Sequence, residues 1–84
     1  MVAAMIKLTA HALERVENGE VARAWIDAAI ARPEWSRPDP WRAGVTLSFR
    51  AILEFGGRIL GVAHRPDGAN VLVITAFFDR GAKP

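Results

Sequence analysis

His11 and Arg15 stand four residues apart in Thr9-Ala10-His11-Ala12-Leu13-Glu14-Arg15, so a helix would set both on one face. A neutral imidazole near its unperturbed pKa can take a proton from a hydroxyl or return one to a leaving oxygen. A neighbouring guanidinium can stabilise negative charge building on a phosphoryl group. Together they are the parts that metal-free RNA cleavage needs: a base for the 2′-hydroxyl and a cation for the pentavalent intermediate. The same spacing also suits a histidine bonded to backbone in a first helical turn, with Arg15 paired to Glu14 or Glu17.

Arg50, Arg65 and Arg80 are further cations, each an ordinary solvated charge unless the fold brings them together. Thr75 is a hydroxyl inside an apolar run, which cross-strand packing explains as well as catalysis does. Other chemistries lack parts. The two histidines are not in metal-ligand spacing, which argues against zinc. Phe55-Gly56-Gly57-Arg58 joins two strands and does not open a helix, so it is no phosphate loop. Ser36 and Ser48 have no evident base and no nucleophile-elbow context. No cofactor is expected.

Residues 1–84 read as one domain, small enough for its core to be marginal without a partner. A hydrophobic share of 51% still calls for a packed core rather than a disordered chain. Net charge is only +2, yet of eleven Lys+Arg only Lys7 and Lys83 are lysine. Arginine's bidentate fork suits phosphate or carboxylate. A genome rich in arginine codons explains the bias equally, and fits the alanine content. Without cysteine there are no disulfides and no thiolate chemistry, which fits the cytoplasm. No apolar run reaches the length of a membrane span, and the first six residues are too short for a signal peptide. A cytoplasmic protein is expected.

Residues 5–8 could form a short edge strand. Thr9 is a good N-cap for a helix over residues 10–16, which Asn18-Gly19 stops. A second helix is expected from about residue 20 to 31, with Val21, Ala24, Trp25, Ala28 and Ala29 forming an apolar stripe. Pro33 ends it. Residues 33–42 hold three prolines and read as an irregular connector, its tryptophans capping the core rather than stacking on bases.

From Val45 the period becomes two, with Val45, Leu47, Phe49, Ala51, Leu53 and Phe55 on one face. A two-residue Gly56-Gly57 hairpin would pair Phe55 with Arg58, Ala51 with Val62 and Phe49 with His64, burying His64 on the core side. The other face would then carry Ser48, Arg50 and Arg65 beside Gly61 and Ala63, a shallow electropositive floor. Residues 66–70 form the next turn, and residues 71–78 a last strand of ambiguous register, since both its faces are apolar. The fold expected is α+β: a short strand, two helices, then a three-strand antiparallel meander with the helices on one face.

Thr9-x-His11-Ala12-x-x-Arg15, a helix ending in Ala-Arg-Pro33-Glu34, Gly57-Arg58-Ile59-Leu60-x-Val62 and Val71-x-Val73-Ile74-Thr75-Ala76-Phe77 together resemble a family of small bacterial proteins. That family is a domain of unknown function grouped with the RelE and BrnT toxins of toxin–antitoxin modules. The match runs through nearly the whole chain in order. The resemblance implies a RelE-like fold and a metal-free endoribonuclease restrained by a cognate antitoxin, acting on RNA either free or on the ribosome. It implies His11 for acid/base work, with Arg15, Arg50 and Arg80 holding phosphate, and Arg58, Arg65, Ser48 and Thr75 along the RNA. The chain departs from the family in having Glu17 and Asn18 where a further base is common, and Phe77 where tyrosine is common.

Without any tyrosine, a mechanism needing a phenol is ruled out. A non-catalytic module of the same fold is the alternative, since a last strand apolar on both faces invites a cover, either a homodimer mate or an antitoxin segment. A DNA-binding regulator fits less well, because the second helix has few cations for phosphate.

Overall fold

Thr9 decides where strand becomes helix. Its hydroxyl accepts the Ala12 amide at 3.2 Å and donates to the Ile74 carbonyl at 2.8 Å. Its own amide donates to the Val73 carbonyl at 3.0 Å. The first bond satisfies an orphan amide of helix α1 (Ala10–Glu17). The other two fasten that helix to the strand beneath it. The structure, a computed structural model, describes residues 5–84. Residues 1–4 of the stretch weighed above as a signal peptide lie outside the described residues.

The element order is β1 (Ile6–Leu8), α1, α2 (Arg23–Ala31), β2 (Trp35–Pro38), β3 (Thr46–Ile52), β4 (Arg58–Asp67) and β5 (Asn70–Phe78). The strands form one mixed sheet in the order β1-β5-β4-β3-β2, with β1 parallel to β5 and every other pairing antiparallel. The α+β class and the two helices are as expected, while the sheet has five strands instead of four. Helix α2 begins at Arg23, later than expected, on an Ala22 cap that offers no side-chain acceptor.

Three expectations are corrected, each for a local reason. Residues 35–38 are a strand despite Pro38 and the prolines on either side, because β2 lies at the sheet edge. Asp39 donates its amide to Val45, so odd positions of β2 face the ladder and Pro38, opposite Thr46, directs its ring nitrogen outward. Next, the β3–β4 connection has five residues rather than two: a single 3-10 turn at Leu53–Phe55, then Gly56 and Gly57 at φ 68 and 73. Both glycines adopt the left-handed region in succession, and Gly57 donates its amide back to Ile52 at 2.9 Å.

Register therefore differs from the tight hairpin by an odd number of residues, which reverses the faces. Phe49 lies opposite Gly61, and His64 lies opposite Thr46 on the other side of the sheet. The third correction concerns the turn at residues 66–70. Pairing persists through Asp67 and Asn70, with Pro66 past the end of β3, where no partner needs its missing N–H.

A bulge settles the ambiguous last strand. Ala63 pairs with Thr75 and His64 with Val73, leaving Ile74 without a cross-strand partner. The extra residue shifts the alternation, so Val73 and Ala76 both join the cluster under the helices, formed with Ala12, Val21, Ile26, Ala29, Ile52, Leu60 and Val62. Ile74 packs instead on the helix-free face, with Val45, Leu47, Phe49, Ala63, Trp35, Ile59 and Phe77. Ser48 and Arg50 thus lie on the helix side, while Gly61, Ala63 and Arg65 lie on the other.

Gly61 makes the helix-free cluster possible. A Cβ there would meet Phe77 Cζ at 2.8 Å and Phe49 Cε1 at 3.0 Å. Gly61→Ala is expected to destabilise the protein by about 1–3 kcal/mol, the range for overpacking a tight site. A thermal melt checks this, and an unchanged Tm would show that the two rings yield freely.

Candidate nucleic-acid interface

The residues singled out from sequence are dispersed over both sides of the sheet. His11 is exposed on α1. Arg15 shares its face of the helix, and its guanidinium lies 3.9 Å from Glu20, not from Glu14 or Glu17. The Arg15 Nε is buried with no hydrogen-bond partner among the described residues. Arg50 reaches over the end of α2 and donates to the Arg32 carbonyl at 2.8 Å. Arg58 rests on two rings, 4.8 Å from the Phe55 centroid and 5.0 Å from that of Phe78. It shares a cavity of about 250 Å³ with Arg80, Asp79, Gly56 and Gly57. Arg65 stands towards the opposite end of β4 from Arg58 and donates to the Pro66 carbonyl at 3.2 Å. The expected floor of Ser48, Arg50 and Arg65 therefore does not form, since register puts the first two and the third on opposite faces.

Ser48 is buried and lies 2.7 Å from His64 Nε2, so the base that the sequence did not reveal comes from the neighbouring strand. On its other side Ser48 Oγ is 3.0 Å from Ser36 Oγ. Among the described residues no three His, Asp or Glu side chains gather as a metal site would need.

The structure gathers a second group of residues on the helix-free face. There a groove of about 320 Å³ is lined by Arg37, Asp39, Pro40, Trp41, Arg42, Leu47, Thr75 and Phe77. Thr75 is the one expected RNA-contacting residue that lies in it. Leu47 is buried, and Thr75 and Phe77 are half-buried. The Trp41 ring is 89% exposed, unlike Trp35, which stacks on Phe49 with centroids 4.9 Å apart and planes 14° from parallel. Trp25 packs against Phe55 and Phe78. Of the two connector tryptophans expected to cap the core, Trp35 does and Trp41 does not, while Trp25 packs as part of the apolar stripe expected on the second helix.

Asp39 holds Trp41 out. Its side chain is only 2% exposed and accepts the Trp41 amide at 2.8 Å and Arg42 Nη1 at 2.7 Å. The Trp41 amide, the Arg42 guanidinium and the Arg42 amide hold the carboxyl below the usual carboxylate value, with burial opposing them. Arg37 crosses the Phe49 ring at 5.2 Å from its centroid. The groove therefore presents an exposed indole, a second ring and two guanidiniums on a largely apolar floor. Flat π-systems can stack there while anionic groups meet the arginines. The signal in the sequence was Asp39-Pro40-Trp41-Arg42, an Asx-turn composition that places a tryptophan outside any periodic pattern.

No family model, no curated protein and no solved structure matches the chain.

Two outcomes are expected from this geometry. Asp39→Ala should free the segment after Pro40, so trypsin should cut after Arg42 far faster than in the wild type, as read by mass spectrometry. Equal cutting rates would mean that Asp39 does not hold the loop. His64 is the second case: burial lowers its pKa from the ordinary 6.5. The folded protein then keeps the ring neutral where the unfolded chain takes up a proton, so stability is full above pH 6.5 and declines as pH falls through the folded value. Between pH 7.5 and 5 the Tm of the wild type should drop more than that of His64→Gln; parallel curves would remove the effect from His64.

Proposed function

We propose that this chain is a single-stranded RNA-binding domain that works through the helix-free face of its sheet. The observation that supports this most is Trp41, 89% exposed, its backbone amide held by the buried Asp39 carboxylate, lining one groove with Arg42 and Phe77. An exposed indole costs solvation unless something covers it, and a nucleobase has a π-face of matching size. Arg37 and Arg42 supply the cations for the adjoining phosphates, and Arg65 stands on the same face towards β5. A duplex would hide its base faces, so single strands are the preferred form.

The resemblance to RelE and BrnT toxins points to the same ligand, and in that setting an antitoxin would compete with RNA for this surface. A RelE-like fold and a cytoplasmic location belong to the same proposal. Cleavage is left outside it: Arg15 stands 3.9 Å from Glu20, Arg50 is bonded to the Arg32 carbonyl, and Arg80 lines the cavity with Arg58. No helix among the described residues is long and apolar enough to cross a membrane.

Fluorescence anisotropy with a labelled single-stranded RNA tests the reading. Binding should weaken steeply with salt, and Trp41→Ala should cost about 1–3 kcal/mol, the range for one base stacked on an aromatic ring. Arg42→Ala should lower the salt slope. If wild type shows no RNA binding and forms a dimer that Trp41→Ala dissolves, the groove is a protein interface and the domain is a self-associating module.

A further inference from the structure

On the helix side of the sheet, three polar side chains from three adjacent strands form a continuous chain: Ser36 of β2, Ser48 of β3 and His64 of β4. The two links are 3.0 Å and 2.7 Å. Ser36 is exposed on the edge strand, Ser48 is buried and His64 is half-buried. One end of the chain thus meets solvent, and the other is a base partly withdrawn from it.

A buried hydroxyl between two partners must donate to one and accept from the other. With His64 neutral and Nε2 free to accept, Ser48 donates to it and Ser36 donates to Ser48. Burial favours that neutral form near pH 7. Arg50 lies two residues beyond Ser48 on the same face of β3, and its Nη1 is anchored to the Arg32 carbonyl. That fixes a cation on the side of the sheet where negative charge would develop.

We propose that Ser36 is an activated nucleophile towards small carboxylic esters, with Ser48 as proton relay and His64 as terminal base. Ser36 Oγ forms a bond to the ester carbonyl carbon while its proton passes to Ser48 and the Ser48 proton passes to His64 Nε2. The tetrahedral oxyanion collapses with loss of the alkoxide, which recovers the proton through the same chain and leaves as the alcohol. Water then attacks the acyl-Ser36 carbonyl, giving its proton to the relay, and the acid departs as Ser36 regains a proton. The sum is ester plus water to acid plus alcohol, with nothing else consumed. Ser36 is the catalytic residue; Ser48 and His64 act through it. This site is on the opposite face of the sheet from the Trp41 groove and is independent of RNA binding.

The test uses a fluorophosphonate probe, followed by peptide mapping, and p-nitrophenyl acetate turnover on the full chain. The wild type should carry one adduct at Ser36, and Ser36→Ala, an exposed change that leaves the core untouched, should abolish both signals. Ser48→Ala and His64→Gln should slow labelling at least tenfold while circular dichroism stays native. The wild-type labelling rate should rise with pH through the lowered pKa of His64 and then level off, and His64→Gln should lose that step. Should either relay variant lose its native spectrum, the wild-type pH profile and Ser36→Ala decide alone. No adduct at Ser36, or a rate indifferent to pH between 5 and 8, would reduce the chain of hydroxyls to a cross-strand tie and overturn the proposal.

Discussion

The rest of the molecule depends on how β5 is held. One residue, Ile74, has no partner across the ladder, and its carbonyl accepts the Thr9 hydroxyl while the Val73 carbonyl accepts the Thr9 amide. The bulge therefore performs two tasks. It fixes the start of α1 over β5, next to the edge strand β1, and it changes the alternation of β5 so that Val73 and Ala76 both face the helices. Without the extra residue, Val73 and Ala76 could not both face the helices. A β-bulge that also receives a helix cap links local backbone geometry to the placement of a whole layer.

A sheet with two apolar faces and helices on only one leaves a surface to be managed. Here Trp35 lies flat on Phe49, Arg37 covers the same ring, and Phe77 closes over Gly61. Arginine is suited to this work because its guanidinium stacks on an aromatic face while remaining hydrated at its edges. The cover ends at residues 40–42, where the buried Asp39 turns the chain outward and leaves Trp41 in solvent. What gives the groove its character is thus the boundary of an incomplete second core.

The polar groups obey the same topology. Ser36, Ser48 and His64 meet because three neighbouring strands happen to present them in adjacent register on the helix side, towards the edge strand β2. The arginines expected to meet RNA are instead separated, with Arg58 and Arg80 near the β3–β4 connection and Arg65 towards the opposite end of β4. Charge count says how many cations exist and nothing about where they point, and the net charge of +2 is spread accordingly.

Much of the local structure was legible in the chain. Thr9 as a cap, Asn18-Gly19 as a stop, the Pro33 terminus and the alternation from Val45 to Ala51 all follow from near-neighbour chemistry, and all are present. The place of Trp25 in the α2 stripe and the capping role of Trp35 were readable as well, whereas Trp41 was read as a cap and is not one. The β2 strand was hidden because proline forbids pairing on one side only, and sequence does not say which side is the edge. The hairpin register was hidden because Gly56-Gly57 fits a two-residue turn as well as the end of a longer one. The Trp41 groove and the Ser36–Ser48–His64 chain were out of reach for the same reason: each depends on which residues lie opposite one another, and a single odd shift in register exchanges the two faces. Sequence by itself determined the two helices, where each of them stops and the α+β class, since these rest on interactions within a few residues. Only the tertiary structure decided which side chains share a surface, because that follows from strand order, register and one bulge, all of them long-range.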